Sequence, residues 1–155
     1  MAESAIQTQS VDLAAMDGYE QLSAIIDGRL PAAPIAQTLG MTGFTILERG
    51  SVAVELVPEP RHYNPIGSVH GGVHSTLLDT ACGCSVHSTL AVGEGYTSLD
   101  LSVKFLRAVT VDSGRIRAVG SVLQRGRRTA LAEAKLYDAG GRLLAHATSS
   151  CMIFS

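Results

Sequence analysis

Hydrophobic and polar residues alternate along much of the second half of the chain, as they do in half-buried β-strands. Three segments carry this alternation, 99–105, 116–122 and 130–137, and a last strand is predicted from about 142 to 154, after the turn 138–141. In the first segment four apolar side chains share one face: Leu99, Leu101, Val103 and Phe105. Short turns at 112–114 and 124–126 follow the first and second segments. They predict that these strands pair in sequence order as antiparallel neighbours.

The first half of the chain predicts a short helix and a hairpin. Apolar residues recur at helical spacing between Asp17, which can cap the helix start, and Gly28, which can end it. Pro31 and Pro34 then predict an extended connector. Apolar residues alternate on both sides of the turn 48–51, which predicts a hairpin.

A second, longer helix is predicted after the proline-containing loop 58–69. The run 73–91 contains few charges and many small side chains, and it is too long for one buried strand. We expect it to form a helix that is buried nearly all round, with Asp79 as its single acid. An antiparallel sheet of about six strands, wrapped around one buried helix that follows the first hairpin, is an α+β fold with a single core.

Composition narrows the class of protein. The 155 residues correspond to one domain, which we place at 17–155 after a flexible N-terminus at 1–16. A net charge of −2 argues against general nucleic-acid binding. Only 17 % of residues are charged, which favours burial of surface against a second copy. Three cysteines, no apolar run long enough to span a membrane and no signal peptide indicate a reduced, cytoplasmic chain.

Asp79 is the first candidate for chemistry. A carboxylate inside an apolar helix is unfavourable unless it is hydrogen-bonded or functional. Desolvation would raise its pKa and make it a stronger general base or nucleophile. The structural alternative is an acid that caps a loop or binds a neighbouring chain.

The second candidate is the sequence His70-Gly71-Gly72, directly before the predicted helix. A helix N-terminus carries unpaired N–H groups and a partial positive charge, and glycine allows a substrate to approach the backbone. Such a site can polarise a carbonyl group as an oxyanion hole does. The structural alternative is a turn that only begins a helix.

The spacing of these two candidates predicts an oligomer. Gly71 and Asp79 are eight residues apart, which is about 12 Å along a helix axis. One aspartate side chain cannot reach a carbonyl bound at Gly71 of the same helix. If both residues act on one carbonyl, they come from two subunits whose helices lie side by side and antiparallel, with two equivalent sites.

Further polar residues are weaker candidates. Asn64 could donate to a substrate carbonyl or a water, or could simply begin a turn. Thr80 and Ser98 could orient Asp79 or a water, or could be structural. Basic residues that could bind phosphate, or form a solvated rim, cluster in the second half of the chain: Lys104, Arg107, Arg125, Arg127 and Arg128.

We expect no metal and no separate cofactor. Cys82 and Cys84, with His74 and His87, could suggest a metal site. However, two residues that are two positions apart lie on opposite sides of a helix, and there is no second cysteine pair. Small buried core residues are the better interpretation.

Several motifs together resemble a known family, the hotdog-fold acyl-CoA thioesterases, and within it the phenylacetic-acid-degradation (PaaI-like) branch. The matching stretches are Asn64 to Gly72, Thr76 to Thr80, Ser98 to Arg107 and Gly126-Arg127, with Leu39-Gly40-Met41 upstream. The resemblance covers residues 18–154. A related hydroxybenzoyl-CoA branch has Glu as its acid and Thr four residues later. This chain has Asp79 and Gly83 there, which favours the Asp branch.

The resemblance implies a hotdog fold, in which a curled antiparallel sheet wraps a long helix, and a dimer that pairs again into a tetramer. It implies hydrolysis of an acyl-CoA, with coenzyme A as part of the substrate. Gly71 would polarise the thioester carbonyl, and Asp79 of the neighbouring subunit would act as base or nucleophile. By the same analogy, Asn64 and His70 would position the carbonyl or the water, and Thr80 and Ser98 would support the acid. Gly72 and the basic residues would bind the CoA part of the substrate.

Two other functions are compatible with the same fold, because a fold does not fix a function. One is a non-catalytic acyl-CoA-binding module, although such regulators usually carry a DNA-binding segment, and residues 1–30 have few basic residues. The other is an enoyl-CoA hydratase or dehydratase, which needs a His/Asp pair placed for proton transfer. The pattern from Asn64 to Asp79 fits thioesterases better.

Overall fold

Seven strands and one long helix dominate residues 11–155, the part of the chain that the computed structural model describes. The helices are α1 (Gly18–Ile26), α2 (Pro34–Leu39) and α3 (Gly71–His87). The strands are β1 (Met41–Glu48), β2 (Ser51–Leu56), β3 (Gly95–Ser98), β4 (Ser102–Phe105), β5 (Ile116–Arg125), β6 (Thr129–Tyr137) and β7 (Leu143–Phe154). Short 3-10 turns lie at Leu13–Ala15, Pro60–His62 and Val111–Ser113.

All strand pairs are antiparallel, in the order β1-β2-β5-β6-β7-β3, and β4 also pairs with β7. The predicted hairpin and the consecutive pairing of β5, β6 and β7 are confirmed. The prediction that segment 99–105 pairs with 116–122 is wrong, because β2 occupies that edge of β5 and the first segment lies on β7.

The segment 99–105 is also not one strand, and its apolar side chains do not form one continuous face. It is interrupted at Asp100, whose carboxylate accepts the Ser150 N–H at 2.8 Å while its carbonyl accepts the Ser149 hydroxyl at 2.8 Å. These bonds replace the regular ladder and divide the segment into β3 and β4. Leu99 and Phe105 are consequently more than half exposed.

Helix α3 packs across the concave side of the sheet, against β2, β5, β6 and β7. Its inward residues include Leu77, Leu78, Ala81 and Cys82, which are fully buried. This arrangement is the hotdog fold that the family resemblance implies. The predicted helix boundaries of 73–91 are wrong, because the helix, capped by His70, begins two residues earlier at Gly71 and ends at His87.

The expectation that α3 is buried nearly all round is also wrong. Gly72 and Asp79 are exposed, and Thr76 lies between them on the same side of the helix. We call these three residues the outer stripe of α3. The sheet curls around only one side of the helix, so within residues 11–155 no element covers Gly72 and Asp79, and Thr76 is partly exposed.

Near the N-terminus, Asp17 caps α1 as predicted, and it forms a reciprocal capping box with Glu20. The connector containing Pro31 and Pro34 is not extended throughout, because Pro34 occupies the first turn of α2, where its fixed φ suits a helix. Within the predicted flexible segment 1–16, a 3-10 turn occurs at 13–15, and residues 1–10 lie outside the described part of the chain. No helix in residues 11–155 is long and apolar enough to cross a membrane.

Candidate active site

The sequence His70-Gly71-Gly72 begins α3, as predicted. The Nδ1 atom of His70 accepts the Gly72 N–H at 2.8 Å, so the neutral ring carries its proton on Nε2. A Cβ atom at position 72 would lie 2.9 Å from this Nδ1, which explains why glycine suits that position. His70 is exposed, and its Nε2–H is therefore a donor available to a ligand.

Gly71 is the first residue of α3, and its N–H has no acceptor among residues 11–155. Unpaired N–H groups of this kind carry the partial positive charge of the helix N-terminus. A Cβ atom at Gly71 would lie 3.0 Å from the Phe105 ring, so a larger residue would force that ring to move. The position can therefore offer a hydrogen bond to an anionic or polarised oxygen.

Asn64 organises the loop that precedes α3. Its Oδ1 accepts the N–H groups of Ile66 at 3.0 Å and Ser68 at 3.2 Å, and its Nδ2 donates to the Ser68 hydroxyl at 3.1 Å. The turn-forming role considered for this residue is therefore present. Because an amide nitrogen carries two hydrogens, one N–H of Asn64 is left for another acceptor.

The structure brings three of the predicted site residues to one open cavity of about 370 Å³, which we call the Gly71 cavity. These residues are Asn64, Gly71 and Arg107. The remaining lining residues are Ser68, Val69, His74, Phe105, Leu106 and Ala108. Polar donors and apolar walls thus meet at the start of α3, as they do in ligand sites.

Asp79 does not reach this cavity. It lies on the same uninterrupted helix as Gly71, so the rise of about 12 Å holds. The carboxylate is exposed rather than buried as expected, since it belongs to the outer stripe. Partial desolvation by the surrounding helix and sheet nevertheless raises its pKa, as predicted, and no hydrogen bond or ion pair within residues 11–155 opposes that shift.

Neither predicted supporting hydroxyl binds Asp79 within the chain. Thr80 donates to the carbonyl of Thr76 at 2.7 Å, and the hydroxyl of Ser98 lies 4.0 Å from the Cys151 sulfur. Thr80 instead borders a second cavity of about 320 Å³, which we call the Thr80 cavity. Most of its lining is apolar, from α1, α2 and β1: Leu22, Ile25, Ile26, Ala32, Ala33, Ile35, Ala36, Met41, Phe44 and their neighbours.

The basic residues lie in two places rather than one. Arg107 lines the Gly71 cavity, and Lys104 lies nearby on β4. The turn 125–128 lies instead near the C-terminal end of α3, where Arg125 donates to the Glu94 carboxylate at 2.6 Å and to the Thr89 hydroxyl at 3.3 Å. Arg125 is therefore already paired, whereas Arg127 and Arg128 are exposed.

Sequence reasoning missed one residue of the Gly71 cavity. His74 is only 3 % exposed, and neither of its ring nitrogens has a hydrogen-bond partner in the described chain. Its ring lies 5.7 Å from that of Phe105, centroid to centroid. The sequence signal for it is a histidine about one helical turn after Gly71, a pattern that the sequence analysis interprets only as a possible metal ligand.

An antiparallel sheet wrapped around one long helix defines a hotdog protein, and in this one an open N–H lies at the helix start with an exposed acid two turns later. A comparison of the sequence with models of protein families identifies the family of this hotdog protein. The sequence model of the thioesterase superfamily matches residues 66–145. The chain belongs to this superfamily, and its homologues identify it as a thioester hydrolase.

Three relatives illustrate the similarity. A phenylacetic acid degradation-related protein from Ralstonia eutropha has a structure that matches with a TM-score of 0.76 and 30 % identity, over 84 % of this chain and 98 % of that one. Human acyl-coenzyme A thioesterase 13 is 26 % identical over 81 % of this chain and 89 % of its own. The proofreading thioesterase EntH of Klebsiella pneumoniae is 29 % identical over 64 % of this chain and 71 % of its own.

Proposed function

We propose that this thioester hydrolase cleaves an aryl- or medium-chain acyl-CoA to the free acid and coenzyme A. The observation that carries the proposal is the unpaired Gly71 N–H at an open cavity, on the same helix as the unpaired Asp79 carboxylate. Two of the relatives support this substrate class by their names: acyl-coenzyme A thioesterase 13 and the phenylacetic acid degradation-related protein.

In this mechanism, the thioester carbonyl oxygen accepts the Gly71 N–H, which stabilises negative charge as the tetrahedral intermediate forms. Asp79 removes a proton from water as the water oxygen attacks the carbonyl carbon. Collapse of the intermediate breaks the carbon–sulfur bond, and the proton goes to the departing CoA thiolate. Alternatively, Asp79 attacks the carbonyl carbon directly, and the carbon–sulfur bond breaks to release the CoA thiolate and leave a mixed anhydride. Water then hydrolyses the anhydride to regenerate Asp79 and the free acid, and the proton released goes to the thiolate. The Nε2–H of His70 and the remaining N–H of Asn64 position the carbonyl or the water.

The distance between the two groups requires a second subunit in this mechanism. The side chain of Asp79 cannot span about 12 Å to a carbonyl at Gly71 of its own helix. Two α3 helices that pack antiparallel through their outer stripes bring Gly71 of one copy near Asp79 of the other. The small residues Gly72 and Thr76 allow this close approach. Thr80 and Ser98 would then support the acid, and two such dimers would form the tetramer.

Coenzyme A phosphates would bind basic side chains around the Gly71 cavity. Arg107 and Lys104 are on the same chain as Gly71. In an antiparallel pair with Asp79 of the second copy near Gly71, the C-terminal end of the second α3 lies about 12 Å beyond the start of the first. Arg127 and Arg128 of the second copy therefore lie beyond the N-terminal end of the first α3. Arg125 would help to hold that turn through its ion pair with Glu94.

The Thr80 cavity supports the choice of acyl group. It begins next to Asp79, where the thioester would react, and its lining is mainly aliphatic with Phe44 as an aromatic wall. Burial of an apolar acyl chain or ring there would contribute roughly 25 cal/mol for each Å² removed from water. The cavity therefore favours an aryl or medium-chain group over acetyl.

The test is thiol release with Ellman's reagent from phenylacetyl-, hydroxybenzoyl-, hexanoyl-, decanoyl- and palmitoyl-CoA, with acetyl-CoA as the reference. We expect kcat/KM to be highest for the aryl or medium-chain thioesters. Preference for acetyl-CoA would contradict the assignment of the Thr80 cavity. Binding of CoA esters without turnover on any of them would instead support the non-catalytic binding module.

Filling the Thr80 cavity should change the chain-length preference. Ala36 lines this cavity from α2, and Ala36→Phe would place a ring in the space for the acyl group. We expect kcat/KM for decanoyl-CoA to fall at least about tenfold, the scale of losing a few buried methylene groups, with acetyl-CoA little changed. Gln37→Phe is the matched control, since Gln37 is exposed and does not line the cavity. Equal losses for both substrates would argue against this acyl site.

A further inference from the structure

Ile66 lies in the loop that precedes α3, and its side chain is almost entirely in solvent. The residue is 88 % exposed, whereas no other large apolar residue in 11–155 exceeds 58 %. Tight turns usually place glycine, proline or a small polar residue at such a position. A single exposed apolar residue is common on protein surfaces, so its role depends on how firmly it is held and on what faces it.

The loop holds this isoleucine in a fixed place. Pro65 has no N–H, and the next three N–H groups all donate within the loop. The Asn64 Oδ1 atom accepts the N–H groups of Ile66 at 3.0 Å and Ser68 at 3.2 Å. The Asn64 carbonyl accepts the Gly67 N–H at 3.4 Å, and Gly67 has a φ of 90°, which glycine adopts most easily. A side chain held in this way loses little conformational entropy when a partner covers it.

The Thr80 cavity is an apolar surface that residues 11–155 cover only in part. Ile26 and Ile35 line it and are 47 % and 46 % exposed. Thr80 and Cys84 form its α3 side. An acyl group bound in this cavity would therefore keep part of its surface in water unless another chain covers it, and the exposed part would contribute nothing to binding.

The antiparallel pairing that the mechanism requires brings the loop of one copy to the cavity of the other. When Gly71 of one copy lies beside Asp79 of the second, the two helices run in opposite directions from that point. The chain before Gly71 in the first copy then lies alongside the part of the second α3 that follows Asp79. Ile66 is five residues before Gly71, and that part of α3 carries Thr80 and Cys84, one and five residues after Asp79.

We propose that Ile66 of one copy covers the Thr80 cavity of the other copy and forms the outer wall of its acyl site. Within one chain the loop cannot do so, because Thr80 lies nine residues beyond Gly71, about 14 Å along α3. The proposal rests on the proposed thioesterase function and its dimer, and it adds a specificity residue that is supplied across the interface.

Ile66→Ala tests the wall. Loss of the outer carbons leaves part of a long acyl group in water, so we expect kcat/KM for decanoyl-CoA to fall about tenfold. Acetyl-CoA is too short to reach the wall and should stay within twofold. Leu123→Ala is the matched control, because Leu123 is also exposed and lines neither cavity. An equal loss on both substrates, or no loss on either, would overturn the proposal.

Mixed dimers decide whether Ile66 acts across the interface. Ile66→Ala is co-expressed with an excess of Asp79→Asn, so that most Ile66→Ala chains pair with an Asp79→Asn chain. The active site of such a dimer takes Asp79 and the Thr80 cavity from the Ile66→Ala chain, and an intact Ile66 from the other chain. The ratio of decanoyl-CoA to acetyl-CoA hydrolysis should therefore return to that of wild type. A ratio that stays at the value of Ile66→Ala alone would place Ile66 on its own chain's cavity and contradict the proposal.

A failure of the proposed function is distinguishable from a failure of the wall. If wild type cleaves no thioester, calorimetric binding of the thioethers S-decyl-CoA and S-ethyl-CoA replaces the kinetic test. A tenfold weaker Kd for S-decyl-CoA alone in Ile66→Ala supports the wall, and unchanged Kd values overturn it. Analytical ultracentrifugation adds an independent check, since a monomeric wild type would overturn the proposal. A dimeric wild type with a monomeric Ile66→Ala would also overturn it, because Ile66 would then hold the dimer together rather than the acyl group.

Discussion

Asp79→Asn should lower kcat for the best acyl-CoA substrate by at least about 10³-fold, because the amide can neither accept a proton from water nor attack the thioester. The substitution keeps the size of the side chain on the outer stripe, so KM should change much less. Asp112→Asn is the matched control, as Asp112 is also exposed but lies in the 3-10 turn at Val111–Ser113. Near-normal turnover by Asp79→Asn would contradict both versions of the mechanism.

The same carboxylate predicts a pH dependence. Only the ionised form of Asp79 is active, so kcat/KM should fall as pH decreases through its pKa. Since desolvation raises that pKa, the acidic limb of the profile should have its midpoint above 3.8, the ordinary value for aspartate. A pH–rate profile of wild type checks this assignment. The acidic limb should be present in wild type and absent from the residual activity of Asp79→Asn.

The stability of Asp79→Asn separates lost chemistry from lost folding. A carboxyl group whose pKa is raised in the folded state favours folding at low pH, and this contribution is lost as pH rises through the raised pKa. At neutral pH the charge is thus unfavourable to the fold, and the Tm of Asp79→Asn should equal or exceed that of wild type. Single-turnover hydrolysis in heavy-oxygen water then distinguishes the two roles, because label enters Asp79 only if it attacks the thioester.

The sequence predicts β5, β6, β7 and the first hairpin because one face of each strand is covered: α3 packs against β2, β5, β6 and β7, and α1 packs against β1. The prediction of one continuous strand at 99–105 fails, because the hydrogen bond from the Ser150 N–H to the Asp100 carboxylate is a tertiary contact. Such a contact leaves no trace in the pattern of apolar residues. Pro34 shows a similar limit, since a proline that predicts an extended connector also fits the first turn of a helix.

For the site, the sequence predicts the helix start at His70-Gly71-Gly72, because glycines and a capping side chain act locally. It places Asp79 on the correct helix but predicts a buried environment where the side chain is exposed. Small residues around it are equally compatible with a packed core and with an uncovered helix surface. The sequence does not predict the Gly71 cavity, because the loop at 64–69, the start of α3 and the segment 105–108 come together only in the folded chain.

Gly120→Ala should destabilise the fold by about 3 kcal/mol or more, because it forces α3 away from the sheet. A Cβ atom at this position of β5 would overlap the backbone carbonyl of Ala81 and lie 2.6 Å from the Ser85 hydroxyl. That hydroxyl donates to Ala81 at 2.7 Å and accepts the Val52 N–H at 3.1 Å, and so joins α3 to β2. The nearest contact is helix backbone at Ala81, which cannot move aside as the end of a flexible side chain could.

Thermal unfolding followed by circular dichroism should show a fall in Tm of about 10 °C, as expected for a domain of this size. Gly140→Ala is the matched control: a Cβ there would lie 3.4 Å from the Asp138 carboxylate, an ordinary contact, and Tm should stay within about 1–2 °C. Because the separation of α3 from β5 sets the position of Gly71 and Asp79, thioester hydrolysis should decrease even at temperatures where Gly120→Ala is folded. An unchanged Tm would mean that α3 does not rest on β5 at Gly120.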